Sequence, residues 1–135
     1  MDMKITFPGG KKVHAEFNGF THETDQAIKS GGEGSAPEPF SLFLSSIGTC
    51  AGIYVLGFCQ QRGIDTNGME IVQSMNFNPF SGMIDKINLN IILPEGFPEK
   101  YKKAVINSAN LCAVKKHLEK PPQFNISTTK CNTTI

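Results

Sequence analysis

Residues 40–59 read FSLFLSSIGTCAGIYVLGFC, twenty positions from Phe40 to Cys59 without one charged side chain and with Cys50 near their middle. How this stretch is read decides the fold. Wound as an α-helix, it carries apolar side chains around nearly its whole circumference, among them Phe40, Phe43, Ile47, Ile53, Val55 and Phe58. A helix that is apolar all round has to be enclosed on all sides. About 20 apolar residues are also enough to cross a bilayer. Against that reading stand Ser41, Ser45, Ser46 and Thr49 in the first half and the lack of a Lys/Arg bias at either flank. The half-buried strands predicted elsewhere need a core, and a soluble core helix supplies it, so no membrane partner is expected.

Local signals give the ends of the helix. Pro39 suits a first helical position, where a fixed φ and a missing N–H cost nothing. Arg62 and Gly63 supply a cationic last turn and a terminating glycine, so the helix runs from Pro39 to about Gln61. Gly48 and Gly52, beside Ala51, strip one face of bulk and let a strand or a partner helix approach closely. At about 100° per residue, Cys59 falls on the face opposite Cys50, so these two cannot form a redox pair.

Upstream of the helix, MKITF, KKVHAEF and FTHET alternate with period two and are separated by Pro8-Gly9-Gly10 and Asn18-Gly19, which predicts an antiparallel meander. His14 and His22 read as strand residues rather than as ligands or bases. Lys29 to Pro39, KSGGEGSAPEP, is a loop by every local signal. Downstream, MEIVQSMNF and MIDKINLNIIL predict a hairpin in which Ile84, Ile87, Leu89 and Ile91 share a buried face. EKYKKAVINSAN predicts an amphipathic helix with Tyr101, Ala104, Val105 and Ser108/Ala109 turned inward. Asn110 is expected to cap a short helix from Leu111 to about Glu119, which Lys120-Pro121-Pro122 ends. QFNISTTKCNTTI reads as a last strand. The whole is an α+β arrangement of antiparallel sheets around one long central helix, and residues 1–135 form a single domain.

Composition removes several function classes. Thirteen Lys and Arg against twelve Asp and Glu leave a formal charge of +1, without the electrostatic footprint of a nucleic-acid binder. The Lys115, Lys116, His117 and Lys120 cluster reads as the solvated face of a helix. MDMKITF has no apolar segment before a cleavage site, so no secretory signal is visible and a cytoplasmic location is expected. The four cysteines, Cys50, Cys59, Cys112 and Cys131, form no C-x-x-C unit and no finger-like spacing with the histidines, so neither a metal nor a cofactor is implied. In a cytosolic chain they are reduced, and a disulfide is transient and chemical.

Two of these thiols stand out. Cys50 lies beside the glycine face of the long helix, and Cys112 lies in the first turn expected after Asn110, where free backbone N–H groups favour a thiolate. A thiolate can attack the O–O bond of a peroxide, and the sulfenic acid it becomes condenses with a second thiol to a disulfide. That cycle needs Cα atoms within roughly 7 Å, which the sequence leaves open. Taken on residues alone, the reading of all four cysteines as small packing hydrophobes is the favoured one.

The run from Ala36 to Cys50, Ala-Pro-x-Pro-Phe-x-Leu-Phe-Leu-Ser-Ser-Ile-Gly-Thr-Cys, the second cysteine in NLCAVKKHLEK, and the order of strands and helices together resemble the OsmC/Ohr family over nearly the whole chain. The resemblance implies an OsmC-like fold in which two subunits interlock as a homodimer, with strands wrapping two central helices and a thiol site near the interface. It also implies a thiol-dependent peroxidase, an antioxidant oxidoreductase of the oxidative stress response. In that reading Cys50 attacks an organic hydroperoxide, Cys112 resolves it, and a dithiol reductant restores the pair. The competing implication is a non-catalytic OsmC-like protein that binds a small hydrophobic ligand in the dimer cleft, near Phe43, Ile47 and Tyr54. A structural role without a small-molecule site is the third.

The chain departs from the family's peroxidases at two points. Those members set an arginine against the reactive thiolate and orient it with a carboxylate just after the helix-start proline. Here the only arginine is Arg62, at the far end of the helix, and Pro39 is followed by Phe40 and Ser41. His22, Lys11, Lys12 and Lys29 are the available substitutes for the cation, and Glu38 for the carboxylate. A helix-interior thiol without a cation is expected to keep a pKa near or above the free value of about 8.5.

Overall fold

The period-two segments at the start of the chain pair as predicted, because each alternates its side chains and each is followed by residues that accept a reversing backbone. Strands β1 (Lys4–Gly9), β2 (Lys12–Phe17) and β3 (Phe20–Thr24) form an antiparallel sheet in the order β1-β2-β3. The β2–β3 turn needs left-handed backbone twice, and Asn18 and Gly19 take it with φ of 51° and 79°. The computed structural model that gives this arrangement describes residues 1–131.

After β3 the chain enters the glycine-rich loop, and a side chain that the sequence reading passed over holds it together. The carboxylate of Asp25, 1% exposed, accepts hydrogen bonds from the Gln26 N–H at 2.7 Å, the Ser35 N–H at 3.1 Å, the Ser35 hydroxyl at 2.6 Å and the Glu33 N–H at 3.3 Å. The Ser35 hydroxyl, followed by these backbone donors, outweighs burial and lowers the Asp25 pKa to about 2. Gly32 packs so closely on the Gln26 carbonyl that any Cβ there would overlap it. The loop therefore delivers the chain to the helix in one conformation.

Helix α1 spans Pro39–Gln61, with Pro at its first position, Arg62 as C-cap and Gly63 left-handed at φ 64°. Arg62 folds back, its Nη1 donating to the Phe58 carbonyl at 3.1 Å and its guanidinium lying 3.7 Å over the Phe58 ring. A second antiparallel sheet follows, β4 (Glu70–Phe77) with β5 (Ile84–Ile92), and its half-buried β5 residues are Ile84, Ile87, Leu89 and Ile91, as the alternation predicted. A 3₁₀ turn, Glu99–Tyr101, leads into α2 (Lys102–Ala109), and α3 (Ala113–Glu119) closes the ordered elements.

The core gathers Val55, Phe58 and Cys59 of α1 with Phe97 and Val105, flanked by Ile71, Ile91, Leu93, Tyr101 and Ala104. It thus occupies the C-terminal half of α1. The close approach foreseen at the glycine face is made by β4: Ile71 lies over Gly52, and Gln73 lies over Gly48 and donates from Nε2 to the Leu44 carbonyl at 2.9 Å. Helices plus antiparallel sheets are the architecture expected. Within one chain, however, it is mainly the β4–β5 sheet that packs on α1, while the β1-β2-β3 sheet packs mainly on itself.

Two local expectations are corrected. The short helix starts at Ala113 with Cys112 as its N-cap, because Asn110 instead ends α2, its side-chain Oδ1 accepting from Lys115 Nζ at 2.7 Å. The last strand is not formed among the described residues: residues 121–131 carry no regular secondary structure and pair with neither sheet. Residues 132–135 of that segment lie outside the described residues.

Candidate functional site

The sequence of α1 places Cys50 one turn beyond the buried Ile47, on the flank that α3 covers. The short α2–α3 connection then carries Cys112 in under the same flank. Cys50 is half-buried and Cys112 is 1% exposed. The two thiols lie close enough to shift each other's ionisation, and the Cys112 Sγ also lies 3.9 Å from the Ile47 carbonyl. The fold therefore supplies the proximity that the sequence left open.

Their surroundings differ in a way that reverses the electrostatic expectation. The first N–H groups of a helix have no partner within it, and those of α3 meet Cys50. The Val114 N–H, then the Cys112 thiol and the Ala113 N–H, favour the Cys50 thiolate and outweigh its burial, so its pKa falls below the ordinary thiol value. Without a cation the Cys50 pKa was expected near or above the free value; hydrogen-bond donors draw it downward in place of that cation. Cys112 was expected to be the thiol favoured as thiolate by the helix start. Burial instead pushes its pKa up, only partly offset by the Lys115 and Val114 N–H groups, and the neighbouring Cys50 adds to the rise.

The proposed substitutes for the family's arginine are all placed elsewhere in the chain. Lys12 pairs with Glu33 at 2.9 Å, Lys11 packs by Gly31, Lys29 is exposed on the 3₁₀ turn Ile28–Ser30, and His22 is exposed on β3. Glu38 is the N-cap residue of α1, and its Oε1 accepts from the Ala27 N–H at 3.3 Å, so its carboxylate is turned to the loop. Cys59 is fully buried in the core, with its pKa raised by that burial, and stands on the side of α1 away from the pair. Sequence reasoning missed Ala113 and Val114 as functional groups. Their contribution is backbone N–H, which no side-chain motif announces.

Two openings lie near the pair. A hollow of about 400 Å³, almost wholly apolar, lies at the start of α3 and is lined by Phe43, Val114, His117, Leu118, Pro122 and Phe124. Its walls include Ala113 and Val114, whose N–H groups favour the Cys50 thiolate, but Cys50 itself is not among its lining residues. A larger groove of about 840 Å³ between α1, β5 and α2 is bounded by Ile47, Ala51, Leu89 and Val105 and reaches Cys112 but not Cys50. No group of three or more His, Cys, Asp or Glu among the described residues could hold a metal ion. The arrangement therefore brings together two thiols, of which Cys50 is the more readily ionised, near apolar surface.

Comparison with known proteins agrees with this geometry. The profile of a family described as OsmC-like protein matches residues 32–127, which include both cysteines. No curated protein sequence matches the chain. Among solved structures, one from Psychrobacter arcticus, described as a candidate osmotic stress induced and detoxification response protein, superposes with a TM-score of 0.69 at 21% identity over 84% of this chain and 85% of the other. An OsmC-like protein from Mycoplasma pneumoniae superposes with a TM-score of 0.65 at 18% identity over 89% and 87%. An organic hydroperoxide resistance protein OsmC from Legionella pneumophila does so with a TM-score of 0.51 at 19% identity over 87% and 89%. At these identities the superpositions establish the shared fold.

Proposed function

Because the chain belongs to the OsmC-like protein family, we propose that it is a thiol-dependent reductase of organic hydroperoxides, with Cys50 as nucleophile and Cys112 as resolving thiol. The observation that carries this reading is the contact of two thiols with opposite pKa displacements, Cys50 down and Cys112 up. The hydroperoxide resistance named for the Legionella pneumophila structure agrees with it. The Cys50 thiolate attacks the outer oxygen of the peroxide; an S–O bond forms, the O–O bond breaks, and an alcohol leaves once its oxygen is protonated. Cys112 then attacks the sulfenic sulfur, its proton departs with the sulfenic oxygen as water, and a disulfide results. An external dithiol reduces that disulfide and restores both thiols.

The protein acts, in this proposal, as a cytoplasmic homodimer. The support is apolar surface that one chain leaves open: Phe40 and Ile53 of α1 are 52% and 59% exposed, and the first sheet packs mainly on itself. A second copy enclosing α1 would satisfy its all-round hydrophobicity without a membrane. A monomer at micromolar concentration in sedimentation overturns this part.

The catalytic part is tested by peroxide consumption with cumene hydroperoxide and a dithiol. Wild type is expected to turn over and Cys50→Ser to fall to background, while Cys112→Ser accumulates a sulfenic acid trapped by dimedone. Equal rates for wild type and Cys50→Ser sink the reading. The apolar hollow would then favour the second one, a binding protein for a small hydrophobic ligand.

A further inference from the structure

Regeneration of the pair needs an external thiol, and that thiol has two sulfurs to choose from. The groove of about 840 Å³ between α1, β5 and α2 distinguishes them, because Cys112 is in its lining and Cys50 is not. Cys112 is 1% exposed, so a reductant meets it by lying in the groove rather than by collision from open solvent. Ile47, Ala51, Leu89 and Val105 give the groove apolar walls, which suit a dithiol whose sulfurs are joined by hydrocarbon. Chemistry favours the same sulfur. Thiol–disulfide exchange runs faster when the sulfur that leaves has the lower pKa. Hydrogen bonds from the start of α3, led by the Val114 N–H, lower the Cys50 pKa, whereas burial raises that of Cys112. Cys50 is the more exposed of the two, but attack there has to expel Cys112, the poorer leaving group.

We propose that this groove is the binding site of the external dithiol, and that the dithiol attacks Cys112 with Cys50 as the sulfur that leaves. The inference rests on the reading of Cys50 and Cys112 as the redox pair. Its steps balance. The first sulfur of the reductant attacks as thiolate, its bond to the Cys112 sulfur forms as the Cys50–Cys112 bond breaks, and the electron pair of the broken bond stays on Cys50 as thiolate. The second sulfur, also as thiolate, then attacks the reductant's own sulfur in the mixed disulfide. A cyclic disulfide departs, and the Cys112 thiolate is released. The dithiol has given two electrons to the pair and two protons to solvent, from which Cys112 takes one back. Peroxide and reductant thus act on different sulfurs, the first on Cys50 and the second on Cys112.

The test starts from wild-type protein oxidised by one equivalent of cumene hydroperoxide, with the disulfide located by peptide mapping. If no Cys50–Cys112 disulfide forms, the reading of the redox pair fails, and this inference with it. The oxidised protein is mixed with butanethiol, a monothiol that forms the mixed disulfide and has no second sulfur to resolve it, then quenched in acid at early times and mapped by mass spectrometry. The adduct is expected on Cys112, with Cys50 free. An adduct on Cys50 overturns the assignment while leaving the redox pair in place. The groove itself is tested by Ile106→Trp, which adds bulk at an exposed position of its lining. Reduction of the oxidised variant by butanedithiol is expected to slow by roughly tenfold, more than its oxidation by cumene hydroperoxide does. A reductive step slowed no more than the oxidative one overturns the groove as the route.

Discussion

Both halves of α1 are free of charged side chains from Phe40 to Cys59, and they differ sharply in what covers them. From Val55 to Cys59 the helix is locked into the core of its own chain, with Val55 2%, Phe58 8% and Cys59 0% exposed. From Phe40 to Tyr54 it buries only Ile47 and Ala51, leaves Phe40, Phe43 and Ile53 open, and holds Cys50 against α3. One half is enclosed by its own chain, and the other leaves apolar surface open beside the two thiols. The difference teaches that apolar character in a sequence specifies that a surface must be covered, and leaves open by which partner.

The largest effect expected from this contrast is catalytic. Cys50→Ser should lower peroxide consumption by roughly 1000-fold or more, since it removes the nucleophile, whereas Cys59→Ala, on the same helix and equally a thiol, should keep the activity. Steady-state rates with cumene hydroperoxide measure both, and comparable losses would break the division between the halves.

The division also predicts opposite consequences for two phenylalanines. Phe58→Ala should destabilise the chain by about 3–5 kcal/mol, because Phe58 is buried against Val105 and stacks edge-on with Tyr101 at 5.8 Å. Phe40→Ala should change the stability of a single chain by less than about 0.5 kcal/mol, and should shift a dimer toward monomer if a second copy covers it. Urea unfolding at two protein concentrations, with sedimentation of the same samples, separates the two quantities.

A finer test concerns the thiols alone. Alkylation by iodoacetamide as pH rises should modify Cys50 first, with Cys112 and Cys59 following at higher pH, because hydrogen-bond donors lower the Cys50 pKa while burial raises the other two. Peptide mapping of the alkylated sites reads the order directly. Replacing Val114 by proline removes the first of those donors and should move Cys50 upward in that series.

The smallest effect is at the loop that introduces the exposed half. Asp25 has its pKa lowered from 3.8 to about 2 in the folded chain. A depressed carboxyl pKa stabilises the fold above the unfolded value, and that stabilisation fades as pH falls through the folded value. Asp25→Asn should therefore lower the thermal midpoint at pH 7 modestly, and the gap from wild type should close between about pH 4 and pH 2. A gap that persists unchanged at pH 2 would assign the effect to packing instead.

Much of the fold was legible because its signals are local. The bounds of α1 follow from Pro39 and Gly63, the β2–β3 turn from Asn18-Gly19, and the buried face of β5 from its alternation. The failures are also local in origin. Asn110 is as good a helix stop as a helix start, and the tail after Pro122 has strand composition yet pairs with neither sheet. The loop clasp at Asp25 was illegible because its partner, Ser35, lies ten residues away across a glycine-rich loop with no periodicity.

By itself the sequence determined that an uncharged helix with Cys50 at its centre must be enclosed, that Cys59 faces away from it, and that two cysteines match a family motif. These are consequences of helical geometry and of side-chain chemistry written in neighbouring residues. Only the tertiary structure decided that Cys112 meets Cys50, that the donors favouring its thiolate are the Ala113 and Val114 N–H groups, and that Cys112 is the thiol kept protonated. Those outcomes depend on where a helix start sixty residues away comes to rest. Backbone N–H groups are identical at every non-proline position, so their importance lies in their placement rather than in any letter of the chain.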